Sequence, residues 1–551
     1  MGPVLVIGID AATLDLIEPY VAAGRLPHIG RLLREGAYAP LRSTLPVMSP
    51  PAWTSMITGQ NPGKHGIYDF IRFRPGSYRI EVTRSDQTSY RTIFDLATQY
   101  GRRVLAINVP LTYPPRPING VMVAGPITPS SGIFTHPPEL AAELRAQGYY
   151  ADTNLKYEPG HDAAYIADSK AVARSQAHAL IRLMRREPWD LAMVVLRGVD
   201  EAMGYLWHHM DPQHPRHDPV AAQQFGDAIL DIHRDIDNLV GLMVAAAGPD
   251  ATVMIVSDHG SGPCYKEVFL NVWLEQQSWL VRKPAMLLNK GRKTLLRRLG
   301  LTRENLAPKL DWPLARAIRS RIPERIQHAI IPEQSVTLAD VVDWSRTRAY
   351  SMGNIGQIYV NLKGREPQGI VEPGRERDRL LDEISEALYR LTDEGQPLVD
   401  QIHRSEDIYH GPYAAHGPDL NILMRGMTYV SQSWREMAGS AIFGPSGYSG
   451  THRPLGLVAL HGRAIAAGRQ PEAQIVDVAP TLIWLMGLPI PDDLDGQLLA
   501  ALLRTDSLAQ QPPQQIEAAG APVPQSVSQG WADAAEEQQV LDRLRDLGYL
   551  E

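Results

Sequence analysis

Three apolar runs in this chain end on or shortly before an acid. Val4–Ile9 runs into Asp10, Leu191–Leu196 is followed by Asp200, and Thr252–Ser257 runs into Asp258-His259. Short runs rich in Val and Ile read as strands buried on both faces of a parallel sheet. Ligands in open α/β sheets sit beyond the carboxyl ends of the strands. Acids and an imidazole gathered at that edge repel one another unless a cation lies between them, so the pattern points to a metal site. With a single cysteine, Cys264, the chain can build neither a disulfide framework nor a Cys-rich zinc site. Its ligands must be Asp, His and hydroxyl groups.

A nucleophile candidate lies between the first two acids, in Ser49-Pro50-Pro51-Ala52-Trp53-Thr54-Ser55-Met56-Ile57-Thr58-Gly59. Proline suits the first helical turn and glycine the residue past the last. The segment therefore predicts a helix from about Pro50 to Gly59 with Ser49 at its N-terminus. Free N–H groups and the helix dipole favour an anion there. A serine hydroxyl on a divalent ion can lose its proton and attack phosphorus. On local sequence alone, a plain N-cap role for Ser49 is the simpler reading.

The elements that must position these groups alternate. A helix is expected over Leu26–Glu35, a strand over Arg103–Val109, and helices over His161–Arg186 and Phe225–Ala247. This order predicts an α/β fold with a doubly wound, mostly parallel sheet flanked by helices. Residues 265–440 break the pattern and read as an inserted cap. Val281–Arg325 is expected to be helical and is rich in Lys and Arg, including Lys283, Lys290, Arg292 and Arg297. It is either a solvated face or a basic lid for an anionic substrate or a membrane surface. Within the insertion, strands are expected at Gln357–Leu362 and Asp419–Met424 and a helix at Glu376–Leu391. The catalytic core would comprise residues 1–264 and 441–505, with a strand at Leu455–Leu460 and a closing helix at Ile475–Leu488. Residues 506–551 read as a loose linker (Gln510–Gln529) and a short amphipathic helix (Glu536–Leu550).

The chain has 551 residues, 44% hydrophobic and 21% charged, with a net charge of −7. That balance suits a globular protein and gives no reason to expect nucleic-acid binding. No stretch reaches the roughly 18 to 20 apolar residues of a membrane span. The N-terminal residues lack a basic leader, so a cytoplasmic location is expected. Oligomeric state is open.

Gly8-Ile9-Asp10, Leu41-Arg42-Ser43-Thr44 through Thr58-Gly59-Gln60-Asn61-Pro62-Gly63-Lys64-His65-Gly66, Ser257-Asp258-His259-Gly260, Gly450-Thr451-His452-Arg453 and Asp477-Val478-Ala479-Pro480-Thr481 together resemble the alkaline phosphatase superfamily. The branch they resemble is the type I phosphodiesterase/nucleotide pyrophosphatase group. The resemblance implies phosphoryl transfer on a small-molecule phosphoester, with Ser49 as nucleophile and two divalent ions, zinc or else manganese. It implies that Asp10, Ser49, Asp258 and His259 hold one ion, and that Asp200 and His452 belong to the other. Sulfatases of the superfamily carry Arg four residues after the nucleophile. Trp53 stands there and argues against that chemistry.

One expected ligand departs from the pattern. The second ion's histidine belongs four residues after Asp200, on the same helix face, and Gly204 stands there. His208, His209 or water are the candidate replacements. His208 lies about 12 Å from Asp200 along a regular helix, so using it requires the helix to break. His65, His410, His416 and His461 lie near the motifs but match no ligand, and Asp15 and Asp211 read as surface or capping acids. Two rival readings stand beside the phosphodiesterase. One is a phosphomutase or phosphonate hydrolase on the same fold, and the other is a metal-poor binding protein.

Overall fold

Every residue of Val4–Ile9, Val104–Val109, Leu191–Leu196 and Thr252–Val256 is buried. Such strands have no solvent face and must lie inside a sheet covered on both sides. The computed structural model places them there. It describes residues 2–129, 132–152, 155–283, 337–431, 433, 441–518 and 534–546. The central sheet runs in the order Ala37–Arg42, Leu455–His461, Thr252–Val256, Val4–Ile9, Leu191–Leu196, Val104–Val109, Gly120–Ala124, Thr135–His136. The five strands from Thr252–Val256 to Gly120–Ala124 are mutually parallel. Leu455–His461 runs antiparallel between Thr252–Val256 and Ala37–Arg42. The sheet is thus mixed but mostly parallel, as expected.

Alternate side chains feed two cores. Leu5, Ile7 and Ile9 join Ala192, Val194 and Leu196 beneath the helices Pro27–Glu35, Asp162–Arg186, Gly198–Met210 and Ala228–Ala247. Val4, Val6, Met193 and Val195 meet the helices Ser49–Thr58, Ile93–Gln99 and Val478–Leu485 on the opposite face. Each fully buried aliphatic side chain is worth about 1.5–3 kcal/mol relative to exposure. The register then levels the strand ends. Ile9 pairs with Leu196 and Gly8 with Val256, so Asp10, Arg197 and Asp258 emerge in one row.

The insertion builds its own antiparallel sheet from Ala349–Ser351, Gln357–Val360, Leu420–Met424 and Val399–Arg404. Helix Arg375–Tyr389 covers it with Leu380, Leu381, Ile384 and Leu388, which recur at helical spacing. The basic segment expected to be helical lies, from residue 284 to Arg325, outside the described residues. Its described beginning is extended, with Arg282 bridged to Val342.

The presumed linker is ordered in its described part. Gln515–Ile516 pairs with Ile490–Pro491, because backbone groups at a strand edge accept a partner whatever its side chains. Helix Ala534–Asp546 docks Val540, Leu541 and Leu544 beside Val47, Met48 and Phe70. Among the described residues no helix is long and apolar enough to cross a membrane.

Candidate active site

Ser49 opens a fully buried helix that ends at Gly59 in the left-handed conformation, φ 68°. Met48, not Ser49, holds the N-cap position, and Ser49 Oγ faces His259 Nε2 at 3.3 Å instead of a backbone N–H. This excludes the N-cap reading. The anion cradle expected at this terminus needs correction too. Pro50 and Pro51 have no N–H, and the Ala52 N–H bonds Met48 O at 3.1 Å. The first turn offers the dipole but only the N–H of Ser49.

Trp53 lies one turn further on and is fully buried. Its Nε1–H donates to Asp10 Oδ2 at 3.2 Å. A Cβ on Gly8 would lie 2.6 Å from the indole Cη2, so the strand must carry glycine where the ring crosses it. Ala11 adopts φ 60° directly after Asp10, and its N–H reaches Asp258 Oδ1 at 3.4 Å.

The structure brings together all six residues expected at the site. Oxygens of Asp10 and Asp258 and a nitrogen of His259 lie within 4.8 Å of one another, and so do donor atoms of Asp200, His259 and His452. His259 Nδ1 bonds the Gly260 carbonyl at 3.1 Å and His452 Nδ1 bonds the Val47 carbonyl at 2.7 Å. Both rings are thereby oriented with Nδ1 protonated; this leaves the Nε2 lone pair of His259 available and turns His452 Nε2 to Asp200 Oδ1. His452 comes from Gly450–Arg453, which pairs with Gly260–Pro263. A Cβ on Gly450 would lie 2.2 Å from Met203 O, so this close approach to the Asp200 helix requires glycine.

Electrostatics test whether a cation fits. Asp10 Oδ1 and Asp258 Oδ2 are buried and accept no hydrogen bond. Burial and the neighbouring charges of Asp258 and Asp200 push the Asp10 carboxyl well above its ordinary range. Burial and Asp200 push Asp258 up to about 7. Burial and His452 push His259 down to about 4. Acids held up and an imidazole held down, with orphaned oxygens between them, form an environment that a divalent ion relieves. The Asp10, Ser49, Asp258 and His259 set fits a metal.

The second set does not fit to the same degree. Asp200 Oδ1 and His452 Nε2 are 3.4 Å apart, and their mutual attraction overcomes burial, holding Asp200 low and His452 high. Helix Gly198–Met210 runs unbroken through Gly204. His208 and His209 therefore stay two turns away, and His209 Nε2 bonds Asp162 Oδ1 at 3.1 Å. Neither belongs to the ligand cluster, which corrects the expectation that one of them could replace the absent histidine. Tyr448 Cδ1 lies 3.7 Å from where a Gly204 Cβ would stand.

Sequence reasoning missed Arg197. It is 2% exposed, with Nε 3.8 Å from Asp10 Oδ2, Nη2 3.6 Å from Asp200 Oδ2 and Nη1 3.1 Å from Asp152 Oδ1. The available signal was its place directly after an apolar strand, level with Asp10. The other histidines serve elsewhere. His65 bonds Ser55, His410 pairs with Asp495, His461 pairs with Glu35, and His416 sits in a short 3-10 turn. Asp15 is exposed, and Asp211 Oδ1 caps the turn at Gln213.

The mostly parallel sheet thus gathers acids and imidazoles beyond its strand ends. Residues 4–449 match the family described as type I phosphodiesterase / nucleotide pyrophosphatase, and the chain belongs to that family. The family is one of phosphoric diester hydrolases. Among solved structures it is similar to human ectonucleotide pyrophosphatase / phosphodiesterase 5 (ENPP5, NPP5). The TM-score is 0.48 and the identity 13%, over 92% of this chain and 99% of that one. It is also similar to the inactive murine protein in complex with AMP, with TM-score 0.48 and 12% identity over 89% and 96% of the two chains. No curated protein matches it by sequence.

Proposed function

We propose that the protein is a metal-dependent phosphodiesterase of the nucleotide pyrophosphatase type, with Ser49 as its nucleophile. The observation that carries this reading is the 3.3 Å approach of Ser49 Oγ to His259 Nε2, inside a set of buried acids with orphaned oxygens. A divalent ion, zinc or manganese, held by Asp10, Ser49, Asp258 and His259 would lower the pKa of the serine hydroxyl and offset charge on the phosphoryl oxygens. Ser49 Oγ attacks phosphorus in line, and the bond to the leaving alcohol breaks. The resulting phosphoseryl ester is then cleaved by water. Gly260 O and Val47 O keep the two imidazoles oriented through both steps, and Trp53 keeps Asp10 oriented.

The family resemblance implies two ions. Only the first ligand set supports one in full, so no step is assigned to a second. Substrate selection would fall to the cavity beside Asp200 and His452. Met48 and Tyr205 line it from the core, and Asn354, Ile355 and Val430 from the insertion.

The deciding experiment is hydrolysis of bis(p-nitrophenyl) phosphate and p-nitrophenyl phosphate by purified protein loaded with Zn2+ or Mn2+. Diester turnover that disappears in Ser49→Ala, with metal content retained, is the expected result. Undiminished turnover in Ser49→Ala removes the serine from the mechanism. Absence of turnover on both esters with metal bound favours the binding-protein alternative, which the incomplete Asp200–His452 set keeps in play.

A further inference from the structure

We infer that this site takes one divalent ion per chain, and that the guanidinium of Arg197 supplies the positive charge on the Asp200–His452 side. The inference builds on the metal-dependent reading above and concerns how many ions the site holds.

Ligand supply is the first argument. His259 Nδ1 is engaged with Gly260 O, which leaves one lone pair, on Nε2. That lone pair falls in both donor groups but can bind only one ion. If it serves the ion beside Ser49, the other side keeps only Asp200 and His452. Catalytic zinc sites ordinarily have three protein ligands. The position that would supply the third is Gly204, and its helix is unbroken, so His208 and His209 cannot replace it.

Charge is the second argument. Register places Arg197 in the row of Asp10 and Asp258. Its guanidinium bridges the two ligand sets, with Asp10 on one side and Asp200 on the other. It also lies beside Asp152 at 3.1 Å and Glu201 at 3.9 Å. Arginine stays protonated even when buried, so this is a permanent cation among acids. Both positions lie near this charge, but a dication beside Ser49 has four protein ligands to offset the repulsion, whereas one at Asp200 and His452 has two. Arg197, Gly204, Asp200 and His452 line one cavity, so the same groups that lack a third ligand are served by this charge.

The test counts ions. Full-length protein is equilibrated with excess Zn2+, or separately Mn2+, passed through gel filtration, and analysed for metal per chain. One ion is expected in the wild type. Gly204→His alone should still hold one, because Arg197 remains. The pair Gly204→His with Arg197→Gln should hold two. Two ions in the wild type, or none, overturn the inference, and so does a second ion in Gly204→His alone. Should the double variant fail to fold, the wild-type count and the single variant still decide. Phosphodiester turnover is scored separately. A one-ion protein without turnover leaves this inference standing and removes the hydrolase reading.

Discussion

His259 and His452 lie ring against ring, with centroids 3.8 Å apart and planes inclined by 24°. Each is anchored through Nδ1 to a backbone carbonyl, His259 to the adjacent Gly260 and His452 to the distant Val47. Two imidazoles held this close cannot both become imidazolium without repulsion. His259 Nε2 is thereby turned to the acids beside Ser49 and His452 Nε2 to Asp200 Oδ1, and the following expectations test that arrangement.

Asp258→Asn separates charge repulsion from metal binding. Asp258 is buried against Asp10 and Asp200, so in metal-free protein at pH 8 its neutral replacement should raise the thermal midpoint. Zn2+ should raise the wild-type midpoint, since a ligand at 100 times its Kd contributes about 2.7 kcal/mol. The same ion should leave the variant almost unmoved. Equal metal-induced shifts in both proteins would take Asp258 out of the ligand set. Scanning calorimetry with and without metal reads both effects.

Trp53→Phe keeps an aromatic ring near Gly8 but removes the N–H that holds Asp10 Oδ2. Outer partners of metal ligands are worth about 10- to 100-fold in affinity. A loss of roughly tenfold in Zn2+ affinity is expected, with only a small change in thermal midpoint. An unchanged affinity by calorimetric titration would assign the indole to packing alone.

His65 predicts an acid-sensitive fold. Its Nδ1 accepts the Ile67 N–H at 3.1 Å, so Nε2 carries the proton toward Ser55 Oγ at 2.9 Å. Burial pushes its pKa down to about 3, with Asp495 pulling weakly the other way. The unfolded chain takes up a proton below about 6.5 and the folded protein does not until about 3. The stabilisation is therefore complete above 6.5 and is lost as pH falls toward 3. Its slope is about 1.4 kcal/mol per pH unit for one proton. His65→Gln should be less stable at pH 7.5 and should decline less steeply between pH 6.5 and 5. Parallel wild-type and variant curves in urea unfolding would refute this.

Much of the site was legible because acids after apolar runs are a one-dimensional signal. Asp10, Asp200 and Asp258-His259 could be placed at one sheet edge without any partner information. Ser49 was marked by the proline pair after it, although those same prolines remove the N–H groups that the helix start was expected to offer. His452 could be found only through resemblance, because nothing local in Gly450–Arg453 says that it folds back onto Gly260–Pro263. Arg197 was passed over for a different reason. An arginine after a strand reads as solvated, and its burial follows from register between distant strands. The antiparallel entry of Leu455–His461 is likewise a long-range pairing that a buried apolar run does not encode.

The helix Ala534–Asp546 carries a consequence for dynamics. Val540, Leu541 and Leu544 share a core with Met48, the neighbour of Ser49. On the same helix Arg543 Nε stands 3.9 Å from Asp152 Oδ2, and Asp152 holds Arg197. A short helix held by a few apolar side chains opens at lower cost than the central sheet. Undocking of this short segment would loosen the nucleophile and the buried cation together, without disturbing a single strand of the sheet. Hydrogen exchange should then show the Ala52 and Trp53 amides of the Ser49 helix losing protection in a Leu544→Ala variant while Val4–Ile9 keeps its own. Unaltered exchange at Ala52 and Trp53 would uncouple this helix from the nucleophile.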